Sequence, residues 1–135
     1  MLIHKSLAKN IHQVNKIDDH ILVLHFHFKD KKKLYIIQTY LPSDKQMSDR
    51  YQKQIQKIVK NEKLTDTNII VMGDFNATNN SIKDRSNNAT KSSKKLRESW
   101  KPEISLFPYL EDLGFTDIQS SWKETSIISK QSQYT

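Results

Sequence analysis

The tetrapeptide Gly73-Asp74-Phe75-Asn76 carries a carboxylate and a carboxamide two residues apart, directly after an apolar run. That run, residues 68–72, is rich in β-branched types and predicts a buried strand, and Gly73 would let the backbone turn or approach a ligand closely. Side chains at i and i+2 of an extended segment point to the same side, so we expect Asp74 and Asn76 to face one ligand. An anionic acceptor beside a neutral donor and acceptor suits a water molecule, a metal ion or a phosphate oxygen. The alternative is an ordinary turn after a strand, because Asp and Asn are also common in turns.

A β-hairpin is predicted over residues 20–40, ahead of this strand. Residues 20–28 form its first strand, residues 29–33 a polar connection and residues 34–40 the return strand. One face of the first strand is fully apolar, and we expect it to point into the core; it consists of Leu22, Leu24, Phe26 and Phe28. The opposite face carries Ile21, Val23, His25 and His27. Its two histidines could bind a metal ion, but no third ligand lies near them in the sequence.

Two helices are predicted. Residues 48–63 form an amphipathic helix whose apolar face consists of Tyr51, Ile55, Ile58 and Val59. Ser48 or Asp49 can cap its N-terminus, and Gln52 belongs to the polar side that we assign to solvent. Residues 107–113 form a short second helix, followed by Gly114. The order hairpin, helix, strand predicts an α/β fold in which a helix covers one face of a sheet.

Positive charge dominates the chain, which has 135 residues, a net charge of +7 and no cysteine. Residues 83–101 hold seven basic and two acidic side chains, a patch that would attract nucleic acid. The residues that we expect to contact it are Lys91, Lys94, Lys95 and Arg97. The alternative is a solvated surface in a chain that is rich in lysine and asparagine throughout.

Length and composition predict one domain over residues 1–135, with a long polar and flexible loop over residues 77–101. No apolar run approaches the roughly 18 residues of a membrane span, and the N-terminus has no apolar segment of the secretory type. We therefore expect no membrane partner and an intracellular location, in the nucleus or the cytoplasm. The sequence does not indicate an oligomeric state.

Together these segments resemble the endonuclease/exonuclease/phosphatase superfamily, which has the deoxyribonuclease-I-like fold, and especially the endonucleases of non-LTR retrotransposons. The strand ending Thr39-Tyr40-Leu41-Pro42 is similar to the strand of that family that ends in an active-site tyrosine. Residues 69–77 are similar to its strand with a Gly-Asp-x-Asn signature, and residues 110–117 to its helix and Leu-Gly-aromatic-x-Asp turn. The helix at 48–63 and the pair Asp84-Arg85 also fit the family.

The resemblance implies a divalent-metal-dependent phosphoester hydrolase, most simply an endonuclease that uses Mg²⁺ or Mn²⁺ on nucleic acid. By position, Asp74 would orient or activate the attacking water, Asn76 would hold a phosphate oxygen or help place Asp74, and Tyr40 would donate its hydroxyl to a phosphate oxygen. Such roles suit phosphoryl transfer, which needs an oriented nucleophile and stabilised charge more than covalent chemistry.

The same resemblance implies a four-layer α/β/β/α sandwich of which this chain is a partial domain. The family's N-terminal strands with a metal-binding Glu, and its C-terminal strands with an Asp-His pair, have no counterpart in the sequence, so no metal ligand is assigned. The alternative function is therefore an inactive remnant or a fragment that only binds nucleic acid. The substrate class also stays open, because the superfamily hydrolyses DNA, RNA, phosphoinositides and other phosphoesters.

Overall fold

The structure is a computed structural model that describes residues 1–62, 67–77 and 104–118. It divides into two compact units, Met1–Ile104 and Ser105–Thr135. Along the chain the elements are α1 (Lys5–Ala8), β1 (Ile11–Ile17), β2 (Ile21–His27), β3 (Lys33–Tyr40), α2 (Lys45–Asn61), β4 (Thr67–Asp74) and α3 (Leu106–Asp112). The α/β class predicted from the sequence is confirmed. In the described residues, none of the helices combines the length and apolarity that crossing a bilayer requires.

The first unit contains a mixed four-stranded sheet in the order β1-β2-β3-β4. β1, β2 and β3 pair in antiparallel fashion, and β4 lies parallel to β3. The predicted hairpin is confirmed as β2 and β3, joined by the five residues Phe28 to Lys32, with Lys31 at φ +60°. Because β3 and β4 are parallel, the chain must return between them, and α2 makes that return.

The face of β2 that packs beneath α2 is the opposite of the one that we expected to point into the core. Ile21 and Val23 are buried, together with their neighbours Tyr35, Ile37 and Thr39 on β3. The C-cap of the helix, Glu62, places it on this face, because the Glu62 carboxylate is near enough to Tyr35 to raise its pKa, after burial, which is the larger cause.

The other face of the sheet, predicted to be the core face, is buried in part. Leu24 and Phe26 are buried, whereas Leu22 and Phe28 are partly exposed. Farther along the same face, Ile70 is 39% exposed and Met72 46% exposed. The prediction is thus confirmed for Leu24 and Phe26 and not for Leu22 and Phe28. It missed the face that α2 covers, because both faces of a central strand can carry apolar residues and periodicity alone does not say which one the helix covers.

The helix α2 begins three residues earlier than the sequence predicted. Its N-cap is Asp44, whose Oδ1 accepts a hydrogen bond of 2.8 Å from the Met47 amide, and neither Ser48 nor Asp49 caps it. Tyr51, Ile55 and Val59 are buried as predicted. Gln52, assigned to the solvent side, is also buried. Its burial is tolerated because its Nε2 still has a hydrogen-bond partner there, Ser48 Oγ at 3.2 Å.

Two elements at the N-terminus, α1 and β1, were not predicted. β1 lacks a regular alternation because a bulge between Ile11 and Gln13 shifts its register against β2. Its apolar residues therefore recur every third position, at Ile11, Val14 and Ile17, which is not the period of a strand. β1 lies at an edge of the sheet, where most of its side chains meet water.

In the second unit, the short helix predicted over residues 107–113 is confirmed as α3, Leu106–Asp112. Gly114 follows it at φ +87°, and its amide donates to Glu111 O at 2.9 Å. The Phe115 amide donates to Leu110 O at 3.0 Å, which completes a Schellman end. The loop predicted over residues 77–101 lies, apart from Ala77, outside the described residues.

Gly73 is the position at which the sheet depends most on one residue type. Its φ is +147°, and a Cβ built on it would lie 1.8 Å from the carbonyl oxygen of Thr39 on β3. Any side chain there must separate the two parallel strands or break the backbone conformation. Gly114 has a positive φ as well, but a Cβ on it would meet no atom within 4 Å.

These two glycines make a matched test. We expect Gly73→Ala to lower the free energy of unfolding by roughly 3 kcal/mol or more, because it combines backbone strain with a backbone clash. Gly114→Ala carries strain alone and should cost about 1 kcal/mol. Urea unfolding followed by circular dichroism measures both. Equal losses for the two variants would contradict the close approach of β3 and β4 at Gly73.

Candidate active site at the ends of two parallel strands

Tyr40 and Asp74 end two neighbouring strands and lie directly opposite each other. They are the last register pair of the parallel ladder between β3 and β4. The ladder continues one step beyond them, since the Leu41 amide donates to the Asp74 carbonyl at 2.8 Å. Two residues 34 positions apart in the sequence are thereby fixed at one edge of the sheet. The structure thus places on neighbouring strands, as Cα partners, two residues that the sequence singled out separately.

Asn76 ties the turn after β4 back to β3. Its amide donates to Asp74 Oδ1 at 2.9 Å, and its side-chain Nδ2 donates to the Leu41 carbonyl at 2.8 Å. Asn76 has φ +46°, so the backbone has left the extended conformation by this point. The reason given for a shared side of Asp74 and Asn76, the alternation of a strand, is therefore wrong. The two residues are joined through a turn in which one carboxylate oxygen of Asp74 accepts the backbone amide of Asn76.

That turn orients the carboxylate of Asp74. Oδ1 is held toward the backbone by the Asn76 amide, while Asp74 as a whole is exposed at the end of its strand. Asn76 in turn is anchored on β3 through Leu41, which is fully buried. A carboxylate oriented from both strands can accept a hydrogen bond from water or bind a cation in a defined direction. The sequence left open whether Gly73–Asn76 is a ligand-facing site or an ordinary turn after a strand. These two interpretations do not exclude each other, because the turn itself orients the Asp74 carboxylate.

Tyr40 presents its phenol at the same edge, and its side chain is 49% exposed. Beside it lies a recess of about 310 Å³ that is also bordered by Lys16, His20, Leu22 and Gln38. The Oε1 atom of Gln38 is buried without a hydrogen-bond partner in the described part of the chain. A phenol hydroxyl that donates, next to an open recess, can reach a phosphate oxygen of a ligand lying there.

The histidine pair on β2 does not form a metal site with the described residues. His25 packs on the ring of Tyr35 at 4.1 Å, and His27 stacks on His12 at 4.1 Å. Burial lowers the pKa of both His25 and His27, and neighbouring positive groups lower them further: His27 and His12 act on His25, and His12 and Lys33 act on His27. For His25 the Glu62 carboxylate opposes this effect. Both histidines are packed side chains of the sheet.

The other expected functional residues are not at this site. Lys91, Lys94, Lys95 and Arg97, predicted to bind nucleic acid, lie outside the described residues. Within residues 1–62, 67–77 and 104–118, no three His, Asp or Glu side chains cluster closely enough to hold a metal ion. The described residues alone therefore do not supply a full ligand set for the divalent cation that the resemblance implies.

One residue of this edge was missed by the sequence analysis. His20 precedes β2, and its ring stacks on that of Tyr40 with centroids 5.7 Å apart. The signal that points to it is the hairpin register. Ile21 pairs with Thr39, so the next residue outward on each strand is His20 on one and Tyr40 on the other.

Comparison with known proteins gives one match. A family model described as endonuclease-reverse transcriptase matches residues 34–133, which is well over half of the chain. Neither the curated proteins nor the solved structures contain a match. The matched region includes the strand that ends at Tyr40, the helix α2 and the whole Gly73–Asn76 turn. The chain therefore belongs to the endonuclease-reverse transcriptase family, within the endonuclease/exonuclease/phosphatase superfamily and of the retrotransposon type.

Proposed function

We propose that this protein is a phosphoester hydrolase, an endonuclease that cleaves nucleic acid at the edge of the sheet where β3 and β4 end. The observation that carries the proposal is the register pair Tyr40 and Asp74, locked by the hydrogen bonds of Asn76. Family membership supports the reaction class, since nuclease and phosphoesterase chemistry is what relatives of this type perform. Nucleic acid is the substrate class that the same membership suggests.

In this proposal each of the three side chains has one task. Asp74 orients the attacking water and accepts its proton through the carboxylate. Tyr40 donates its hydroxyl to a non-bridging phosphate oxygen, where negative charge is concentrated in the transition state. Asn76 positions Asp74, because its backbone and side-chain amides are both engaged in the turn. Of the two roles that the resemblance offered for Asn76, the contacts favour this one.

The family is generally dependent on divalent cations, and we include that dependence in the proposal. In this superfamily a divalent cation neutralises charge on the phosphate. The described residues offer the Asp74 carboxylate at the site but no set of three ligands. The dependence is therefore carried by family membership alone.

We also propose that the chain belongs to a single domain of the α/β/β/α sandwich type. The support is the sheet face opposite α2, where Val14, Ile70 and Met72 are exposed although they are apolar. A second sheet packed on this face would bury them, as sheets in sandwiches do. In an α/β/β/α sandwich, each sheet has one face covered by helices and one apolar face that packs on the other sheet, and this sheet has both kinds of face.

The function is tested by nicking of supercoiled plasmid in a buffer with Mg²⁺, with EDTA as the control without metal. We expect Asp74→Asn to slow nicking by at least about 100-fold, because an amide does not accept a proton from the attacking water. Tyr40→Phe should slow it by about 100-fold, because one donor to the developing charge is lost.

Asp30→Asn is the matched control, since Asp30 is an exposed carboxylate in the hairpin connection at the far end of β3. It should nick at the wild-type rate. Absence of nicking by the wild-type chain would overturn the hydrolase assignment. A wild-type nicking rate for Asp74→Asn would show that Asp74 takes no part in the reaction. A wild-type nicking rate for Tyr40→Phe would show the same for Tyr40.

A second candidate function is nucleic-acid binding without hydrolysis, which the net charge of +7 favours. Its signature is electrostatic. The association constant should fall steeply with salt, with a slope in log K against log salt of about −0.9 for each duplex phosphate contacted. Binding without nicking would select this candidate over the hydrolase.

The basic residues that the sequence analysis assigned to this contact can be tested together. Changing Lys91, Lys94, Lys95 and Arg97 to serine should reduce the size of the salt slope by about 3 to 4. A matched control removes the same charge from exposed lysines elsewhere, at Lys29, Lys31, Lys32 and Lys57. Fluorescence anisotropy with a labelled duplex measures both. Equal slopes for the two quadruple variants would show that only net charge matters.

A further inference from the structure

We propose that His20 is the positioning residue for Tyr40, holding its backbone and ring so that the hydroxyl stays at one place on the sheet edge. The part of the proposal that concerns catalysis rests on the proposed function. His20 lies between β1 and β2, in a turn of three residues that begins with Asp18 at φ +50°. It belongs to neither the Gly73–Asn76 turn nor the strand of Tyr40, so its role is independent of the signature.

The backbone of Tyr40 is bound by His20 at both of its polar groups. The Tyr40 amide donates to the His20 carbonyl at 2.9 Å. The His20 ring nitrogen Nδ1 lies 2.9 Å from the Tyr40 carbonyl oxygen. A carbonyl oxygen only accepts, so Nδ1 must carry a hydrogen and donate. Tyr40 therefore has its amide and its carbonyl both fixed by one residue, His20, of the turn that precedes β2.

The ring of His20 makes contact with two tyrosines. It stacks on Tyr40 with an interplanar angle of 14°, and it lies at 4.3 Å and 32° against Tyr51 of α2. Tyr51 is a rigid partner because it is buried and its hydroxyl donates to Asp18 Oδ2 at 3.2 Å. Burial and this hydrogen bond raise the pKa of Tyr51, so the hydroxyl stays protonated and keeps donating. Through His20, a buried part of the core supports a side chain that is half exposed.

The consequence for Tyr40 is a restricted ring. An exposed tyrosine at the end of a strand would otherwise exchange between rotamers, and ordering it on substrate binding would cost conformational entropy. Stacking on His20 restricts that exchange before the substrate arrives, which is the form of preorganisation that favours a transition state. His20 and Tyr40 also border the same recess, so a ligand that enters it would lie beside both residues.

Three substitutions separate the two contacts. His20→Phe keeps a ring and removes the Nδ1 donor, His20→Asn keeps a short donor and removes the ring, and His20→Ala removes both. His12→Ala is the matched control, because His12 is also a stacked histidine of this sheet but lies at the opposite end of the β1–β2 pairing. All variants are first compared with the wild type by circular dichroism and thermal unfolding.

The position of the ring is measured without reference to activity. The chain is labelled with 3-fluorotyrosine, and the fluorine signal of Tyr40 is identified by its loss in Tyr40→Phe. We expect His20→Ala to move this signal toward the position of an unfolded tyrosine, His20→Phe and His20→Asn to move it partway, and His12→Ala to leave it in place. An unchanged Tyr40 signal in His20→Ala would overturn the proposal.

The catalytic part is measured by nicking kinetics. We expect His20→Ala to lower kcat by about 10-fold with little change in KM, since misplacing a contributing group costs rate more than binding. In a Tyr40→Phe background, the same substitution should cause no further loss. An equal 10-fold loss in that background would show that His20 does not act through Tyr40. If the wild-type chain does not nick, the proposed function fails, and the fluorine signal alone still decides whether His20 positions Tyr40.

Discussion

The contact between the backbones of β3 and β4 at Gly73 is the constraint on which the rest of the structure depends. A Cβ at Gly73 would lie 1.8 Å from the Thr39 carbonyl oxygen, so the two strands can approach only because the residue has no side chain. One step farther along the ladder, that approach sets Tyr40 against Asp74. The glycine of the signature therefore acts on strand pairing, and its effect on the site is indirect.

Around that contact, three segments distant in the sequence support one edge of the sheet. Asn76 connects the end of β4 to Leu41, His20 connects the start of β2 to Tyr40, and the latter contact extends to Tyr51 on α2. All of these interactions are made to backbone groups or to buried residues, so the exposed residues Tyr40 and Asp74 are held in place by the more buried part of the sheet edge. A site of this kind needs few residues at the surface, because the orientation is set by hydrogen bonds beneath them.

Much of this arrangement could be predicted from the sequence, and the errors have physical causes. The strand before Gly73 and the hairpin follow from apolar runs of β-branched residues, which is why both were found. The burial predicted for the strand over residues 68–72 was wrong, because β4 lies at an edge of the sheet and leaves Ile70 and Met72 exposed. The register of the hairpin was not, because the connection is Phe28 to Lys32 and not residues 29–33. Moving both ends of a connection by one residue shifts the pairing of the two strands by two residues. The predicted connection would have placed Leu22 opposite Tyr40, whereas the observed one places His20 there.

The choice of sheet face and the cap of α2 were missed for a related reason. Both faces of β2 carry buried apolar residues, and Asp44, Ser48 and Asp49 are all capable N-caps, so local pattern permits several answers. Tertiary contacts decide between them: Glu62 lies near Tyr35 on the face that the helix covers, and the chain after Pro42 enters the helix at Asp44. Asn76 shows the same limit, because its positive φ occurs together with hydrogen bonds to Leu41 and Asp74 that the local sequence does not reveal.

In the proposed reaction, Tyr40 and Asp74 act on one phosphate because the parallel pairing of β3 and β4 sets them opposite each other. The most direct measurement is the plasmid-nicking rate of the double variant Tyr40→Phe/Asp74→Asn beside the two single variants. Residues that act as a unit give non-additive losses. The account predicts a double variant no more than a few times slower than the slower single variant. A loss equal to the product of the two single losses would contradict it, since the two side chains would then act independently.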